Sequence, residues 1–187
     1  MGKAGRIMVW ILALAGAGGL ALVLVARRGP DLPTEFRRML AAETASDAAR
    51  PHSIVTEASI ATLPAPVQRY IRLSGAMGKP RPASLTVTYD AQMFQKPGAV
   101  AMTGVATQHD LFDPPRRLFC LPTRMFGLPV KVLHNYDGIA ATLRVRLASL
   151  FGVVDTGGVN FSRTQTVTLL NHLCLFAPGW HSDPRLT

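Results

Sequence analysis

The chain opens with an uninterrupted apolar segment, which predicts an anchor over residues 1–28 with a transmembrane helix at 7–26. Residues 7–26 read IMVWILALAGAGGLALVLVA and contain no charged side chain. A helix of this length rises about 30 Å, which matches the hydrocarbon core of a bilayer. Trp10 lies near one end of the segment, and Arg27 and Arg28 follow the other end, as interfacial residues do. A cleaved signal peptide is the rival interpretation, but its apolar core is shorter, about 7–15 residues.

A helical connector is predicted next, over residues 29–62. Gly29-Pro30 ends the apolar helix. Helix-forming residues follow from position 34, and Phe36, Met39 and Leu40 fall on one face of that helix. This apolar face could lie along the lipid headgroups or pack on the domain that follows, and the sequence leaves both alternatives open.

Alternating apolar and polar residues predict the strands of a domain that spans residues 63–187. From Leu85 to Met93 every second residue is apolar, which is the period of a half-buried strand. Turn signals such as Asp137-Gly138 separate the later runs, and successive strands joined by tight turns form antiparallel sheets. Further strands are predicted at 99–109, 116–121, 128–136 and 139–147.

One helix is predicted on each side of these strands. Pro64 begins the first helix, which runs to about Leu73. Ser162 and Gln165 form a capping box ahead of an apolar helix from Val167 to Phe176. The predicted fold class is α+β, an N-terminal transmembrane helix followed by an antiparallel β-meander with flanking helices.

Charge refines the expected partners. The chain has 187 residues with a formal net charge of +9, and the first 28 residues carry four basic side chains and no acidic one. Positive charge beside an apolar helix suits anionic lipid headgroups, so a lipid bilayer is the expected partner and nucleic acid is not. Basic residues flank the helix on both sides, which leaves the orientation open. A β-rich domain behind one anchor suggests a single-pass protein of the cell (cytoplasmic) membrane with an extracytoplasmic domain.

Candidate chemistry is sparse along the chain. No Glu follows Glu57, and Asp110 and Asp113, the closest acidic pair in the domain, flank a turn. No nucleophile elbow, phosphate loop or paired metal-ligand motif occurs. The sequence therefore predicts no metal, no cofactor and no enzyme activity. The histidines are scattered at His52, His109, His134, His172 and His181.

A hydrolase would require a His–Asp site assembled by the fold. His109 with Asp110, or His172 with His181, could come together only in that way. Cys120 and Cys174 lie on a predicted strand and a predicted helix, and they could form a disulfide if the domain is exported. Apolar neighbours flank both cysteines, and buried free cysteine is common, so both states stay open.

Several motifs in fixed order give the domain a resemblance to a known family. From Leu63 the chain resembles an uncharacterised family of bacterial membrane-anchored proteins, a domain of unknown function. The resemblance implies a fold similar to the curved half-barrel of periplasmic lipoprotein carriers, whose concave face holds acyl chains. The motifs are LPAPVQRY at 63–70, FQKPG at 94–98, MFGLPV at 125–130, ASLFGVVD at 148–155, TVTLLN at 166–171, CLFAP at 174–178 and DPR at 183–185.

This chain departs in two ways from the family pattern that the resemblance implies. Family members tend to carry Glu where Thr107 and Gln165 stand here. Members also continue with further strands beyond the Asp-Pro-Arg motif, so the domain at 63–187 is expected to be incomplete at its C-terminus.

These expectations combine into a functional hypothesis, in which the sheet binds a lipid or another apolar ligand at the cell envelope. The alternatives are ordinary core packing for the same side chains and an interaction module for another envelope protein. The candidate ligand-lining residues are Leu85, Val87, Tyr89, Leu143, Val145 and Leu147, with Met125 and Phe126 near a rim.

Overall fold

The structure is a computed structural model that describes residues 31–47, 53–94 and 96–184, together with scattered positions between 8 and 21. The predicted transmembrane helix at 7–26 lies mostly outside the described residues. The positions described within it, such as Met8, Trp10 and Leu14, are helical and exposed. Among the described residues, no helix is long and apolar enough to cross a membrane.

An antiparallel sheet forms the centre of the domain, as the alternating pattern predicts. Its six strands pair in chain order and leave the sheet open at both edges. β4 has the predicted bounds, β3 extends further than predicted, and β2 begins and ends three residues later than predicted. The strands are β1 (Ser84–Met93), β2 (Met102–Phe112), β3 (Pro115–Met125), β4 (Leu128–Tyr136), β5 (Ala141–Leu147) and β6 (Phe151–Gly157).

Helices flank the sheet, which confirms the α+β class. The Tyr70 hydroxyl donates to the Cys174 carbonyl and so ties the third helix to the fourth. The helices are α1 (Leu32–Asp47), α2 (Glu57–Ile60), α3 (Ala65–Leu73) and α4 (Val159–Phe176), followed by a 3-10 helix (Pro178–Ser182).

Helices cover parts of both faces of the sheet, whereas the outer strands β1 and β6 are mostly exposed. Successive strand residues point to opposite sides, so Asp110 and Phe112 face one way while His109 and Leu111 face the other. We call the first side the α4 face, because Phe112 packs with Leu169 and Leu173 of that helix. The opposite side is the α1 face, because α1 covers it.

The connector helix packs on the domain rather than extending away from it. Leu32 and Phe36 of α1 are buried against Leu118, Cys120 and Leu133 on the α1 face. Three ion pairs run along the same interface, Asp31–Lys131, Glu35–Arg144 and Glu43–Arg116. Of the two alternatives for this apolar face, the described structure therefore shows packing on the sheet.

The sheet has two ends, which we name by their turns. The β3–β4 end contains the β1–β2 loop (94–101), the β3–β4 turn (126–127) and the β5–β6 turn (148–150). The β2–β3 end contains the β2–β3 turn (113–114) and the β4–β5 turn (137–140).

The predicted Asp-Gly hairpin is confirmed at the β4–β5 turn. The Asp137 carboxylate accepts the backbone N–H groups of Ile139 and Ala140, at 3.0 and 2.8 Å. Gly138 adopts a positive φ of 94°, and a Cβ there would lie 2.8 Å from the Pro115 carbonyl oxygen. Glycine is therefore required by both the backbone angle and the space.

Two elements near the end of the sheet differ from the sequence expectation. β6 was not predicted, because two glycines interrupt its seven residues and remove the alternating pattern. α4 begins at Val159 after Gly158, so the predicted capping box at Ser162 is wrong. Ser162 lies one turn inside the helix, where its hydroxyl donates to the Gly158 carbonyl and accepts the Ala141 N–H.

The two cysteines lie on opposite sides of the sheet and are free. Cys120 is buried on the α1 face, whereas Cys174 is exposed on α4. The disulfide that the sequence left open is therefore not formed in this fold. Burial raises the pKa of the Cys120 thiol to about 11, which keeps it protonated and unreactive at neutral pH.

The packing of α1 gives a first prediction. Phe36→Ala should lower the free energy of unfolding by about 3–5 kcal/mol, because it leaves a cavity against Leu118 and Leu133. Arg38→Ala, at an exposed position of the same helix, should change it by less than about 0.5 kcal/mol. Urea unfolding followed by circular dichroism measures both variants, and equal effects would show that α1 does not pack as described.

Candidate functional site

A polar cluster lies between α4 and the sheet. Gln108 and Asp110 are two residues apart on β2 and therefore share the α4 face, and Arg117 of β3 pairs in register with Asp110. Gln165 and His172 are seven residues apart on α4, about two turns, so both point to the same side of the helix. These five side chains meet because the strands direct theirs toward α4 and the helix directs Gln165 and His172 toward the sheet.

Asp110 is the centre of this cluster and is only 1% exposed. Its Oδ2 lies 2.9 Å from His172 Nδ1 and 2.8 Å from Gln108 Nε2. Its Oδ1 lies 3.8 Å from Arg117 Nε. The buried carboxylate therefore has a nearby cation and two hydrogen-bond partners at Oδ2, whereas Oδ1 and Arg117 Nε are buried without a hydrogen bond.

Arg117 fixes the orientation of both glutamines. It donates to Gln108 Oε1 and to Gln165 Oε1, each at 3.0 Å. With its oxygen so engaged, the Gln108 amide directs its NH₂ group toward Asp110. Burial lowers the pKa of the Arg117 guanidinium, although the nearby Asp110 charge opposes that shift.

The hydrogen bond to Asp110 defines the chemistry of His172. Nδ1 lies 2.9 Å from Asp110 Oδ2 and also 2.9 Å from Gln108 Nε2. A carboxylate only accepts, so in the tautomer that bonds to Asp110 the proton is on Nδ1, and the outer nitrogen, Nε2, is a proton acceptor in the neutral ring. This nitrogen belongs to a side chain that lines a cavity of about 300 Å³. The lining residues are Val87, Tyr89, Gln108, His172 and Phe176.

A second cavity, of about 270 Å³, is more apolar. It lies between α4, the β2–β3 turn and the 3-10 helix. Five of its wall residues belong to the buried hydrophobic core beneath α4. The lining residues are Phe112, Asp113, Pro115, Tyr136, Thr166, Leu169, Leu170, Leu173, Trp180 and Asp183.

Seven of the eight sequence-predicted lining residues share the α4 face, but they do not form one cavity. Leu85 packs against the core beneath α4. Val87 and Tyr89 line the cavity at His172. Phe126 lies in the β3–β4 turn, and there it lines a cavity of about 130 Å³ with Met125. The remaining residues, Leu143, Val145 and Leu147, pack with Met125 against a cluster of Ala106, Leu121, Val130 and Val132.

The histidines are arranged differently from both pairings that the sequence suggested. His109 points to the α1 face, where its Nδ1 lies 2.9 Å from the Thr86 hydroxyl. His181 lies on the 3-10 helix, and the structure instead brings His172 to Asp110. Among the described residues, no three His, Cys, Asp or Glu side chains are grouped to hold a metal ion.

Sequence reasoning missed Gln108, Arg117 and Gln165 as members of the cluster. One available signal was Gln108 at an inward position of a predicted strand, where an apolar residue is expected, with Asp110 two residues further on, just beyond the predicted end of that strand. The other was the seven-residue spacing of Gln165 and His172. Neither signal reveals that the two elements meet.

Comparison with known proteins assigns the domain to a family. Residues 53–187 match a family of unknown function, DUF6544. No curated protein and no solved structure matches the chain. The chain therefore belongs to this family of unknown function, which confirms the part of the sequence resemblance that concerns an uncharacterised domain.

His134 sits beside the polar cluster without joining it. Its ring packs edge-on against Phe161, with centroids 5.5 Å apart, and neither ring nitrogen has a hydrogen-bond partner. Burial, and then the positive charge of Arg117, lower the pKa of His134 to about 4.

The low pKa of His134 makes stability depend on pH. Unfolded histidine takes up a proton near pH 6.5 and the folded form only near pH 4, so the native state should lose about 3 kcal/mol across that window as the pH falls. His134→Phe keeps the packing against Phe161 and removes this term. Urea unfolding between about pH 7 and pH 4 should therefore show a shallower decline for the variant; parallel curves would contradict the assignment.

Proposed function

We propose that this member of the family is a non-enzymatic, membrane-anchored domain that binds the apolar chain of a lipid or another apolar ligand. The observation that carries the proposal is the apolar cavity of about 270 Å³ beneath α4. The sequence also predicts an apolar ligand, but it places the binding site on the open sheet face. The site proposed here is the cavity beneath α4.

Most polar groups around this cavity bond to other parts of the domain, and the Asp183 carboxylate pairs with Arg81 at 3.1 Å. The Tyr136 hydroxyl lies 3.0 Å from the Gly138 carbonyl oxygen and 2.7 Å from the Thr166 hydroxyl. Trp180 donates its indole N–H to the Pro82 carbonyl at 2.6 Å. A guest would therefore meet mostly aromatic and aliphatic surface, with the Asp113 side chain also in the wall, which favours an apolar molecule over a polar one.

The volume of the cavity limits the size of the ligand that it can hold. An engineered apolar cavity of about 150 Å³ stays dry and binds benzene. The cavity here, about 270 Å³, has room for one segment of an acyl chain or one ring system, and a whole phospholipid would be too large. The headgroup of a lipid would remain outside.

Membrane attachment is the second part of the proposal. Its support is the charge-free segment at 7–26 with Arg27 and Arg28 directly after it. The domain would then be held at the surface of the cell membrane, close to a supply of acyl chains.

Trp180 lines the cavity and gives a direct binding assay. The chain has two tryptophans, so Trp10→Phe leaves Trp180 as the single emitter. Dibromostearic acid added to this variant in amphipol should quench Trp180 saturably, because bromine quenches only at close contact. Absence of saturable quenching would refute ligand binding at this site.

Two variants of α4 separate the cavity from non-specific binding. Leu170→Phe adds volume to the wall of the cavity. It should raise the dissociation constant obtained from the quenching titration by about tenfold or more. Leu175→Phe makes the same change at an exposed position on the same helix and should leave the titration unchanged. Equal loss in both variants would contradict the assigned cavity.

The contact between Asp110 and His172 beside a cavity favours a second candidate function, which is ester hydrolysis at the cavity lined by His172. In this reaction Nε2 would take a proton from water while the water oxygen forms a bond to the acyl carbon. The proton on Nε2 would then pass to the leaving alkoxide as the acyl–oxygen bond breaks. Asp110 would hold the imidazole in the required tautomer, as the carboxylate does in Ser-His-Asp enzymes.

This second candidate has its own test. If the chain hydrolyses p-nitrophenyl butyrate, His172→Gln should lower kcat/KM by at least about a hundredfold, because a general base contributes that much or more. His181→Gln is the matched control on the 3-10 helix and should retain the rate. An unchanged rate in His172→Gln, or no hydrolysis by the native chain, would remove the hydrolase and leave the binding proposal intact.

A further inference from the structure

The β3–β4 end of the sheet exposes large apolar side chains. Phe126 at the β3–β4 turn is 90% exposed, and Val100 in the β1–β2 loop is 84% exposed. Three more apolar residues around the same turns, Phe94, Leu128 and Phe151, are at least half exposed. Apolar surface gathered on neighbouring loops in this way marks a contact site.

Charge distinguishes this end from the opposite one. Lys96 and Arg124 are exposed beside the apolar tips, and no acidic residue occurs between Asp90 and Asp110 or between Asp113 and Asp137. The turns of the β2–β3 end each carry an aspartate, Asp113 and Asp137. The charge at the apolar end therefore suits a negatively charged partner surface better than the charge at the opposite end does.

The backbone conformation at Phe126 indicates that a Phe at this position does not serve the stability of the fold. Phe126 and Gly127 form a two-residue turn with φ values of 51° and 79°. Asn, Asp or Gly normally occupies both positions of such a turn, because a bulky side chain is disfavoured at positive φ. The strained Phe gains little packing in the domain, since its side chain is almost fully exposed.

The direction of α1 places Asp31, the first described residue after the predicted membrane helix, at this same end. Asp31, at the start of α1, pairs with Lys131 near the start of β4, while Glu43 pairs with Arg116 at the far end of the sheet. The predicted membrane helix ends at residue 26, and four residues, 27–30, separate it from Asp31. Fully extended, they reach about 14 Å, so the β3–β4 end would lie next to the bilayer.

We propose that the β3–β4 end docks on an anionic lipid bilayer. The side chains of Phe126, Val100 and Phe94 enter the boundary between headgroups and acyl chains, and Lys96 and Arg124 bind lipid phosphates. This contact orients the domain upright on the membrane, with the β2–β3 end pointing away. The proposal rests on the membrane attachment proposed above, and it is independent of which cavity binds a ligand.

The test compares two exposed apolar residues at opposite ends. Phe126→Cys and Ile139→Cys are each made with Cys174→Ser, and Cys120 stays buried. Ile139 is 87% exposed in the β4–β5 turn and is therefore a matched control. Each full-length variant is labelled with nitrobenzoxadiazole and reconstituted in vesicles of phosphatidylcholine and phosphatidylglycerol.

The label at position 126 should shift its emission to the blue and be quenched several-fold more by doxyl-labelled phosphatidylcholine than the label at 139. Equal quenching at both positions would overturn the docking. Failure of the chain to float with the vesicles would overturn membrane attachment and the docking with it. A label at 126 that is shielded only when a second protein is added would assign this end to a protein partner and refute the bilayer.

Charge reversal gives an independent check. Lys96→Glu with Arg124→Glu should reduce the doxyl quenching of the label at 126 in vesicles that contain phosphatidylglycerol. The same pair of substitutions should have a smaller effect in vesicles of phosphatidylcholine alone. An equal effect in both kinds of vesicle would exclude recognition of anionic lipid.

Discussion

The central strands of this sheet are apolar on both faces, and the positions of the helices follow from that constraint. Leu118 and Leu133 point to one side and Leu121 and Val132 to the other, and all four are buried. At about 25 cal/mol for each Å² of apolar surface removed from water, an uncovered face would cost several kcal/mol. α1 runs from one end of the sheet to the other over β3 and β4 and covers that part of one face. α4 and the 3-10 helix cover part of the other face. The two cavities lined by Trp180 and by His172 lie where α4 and the sheet do not meet completely.

Asp110 adds a polar constraint to this apolar packing. Its carboxylate is buried and needs Arg117 and His172 in place at the same time. Removing one partner of a buried ion pair commonly costs about 3–5 kcal/mol, because the remaining charge is uncompensated. The cluster therefore fixes the register of α4 on the sheet more tightly than interchangeable apolar contacts could. It also places a potential base beside a cavity, so one feature serves both structure and candidate chemistry.

The sequence predicts those parts of the fold that depend on local periodicity. β4 and the Asp137-Gly138 hairpin follow from alternation and turn chemistry, and α3 follows from a proline at its first turn. β6 escapes prediction because glycines replace the pattern, and the early start of α4 depends on the left-handed φ of Gly158. The Asp110–His172 contact joins residues 62 apart in the chain. Such a pairing depends on where a helix lands on a sheet, which no local pattern encodes.

The cover supplied by α1 also bears on where the folding unit begins. The family match starts at residue 53, after α1 has ended. A fragment cut at that boundary would keep all six strands but lose Leu32 and Phe36, and its α1 face would expose Leu118, Cys120 and Leu133 to water. A fragment meant to keep both faces of the sheet covered must therefore begin no later than Asp31, upstream of the region that the family model matches.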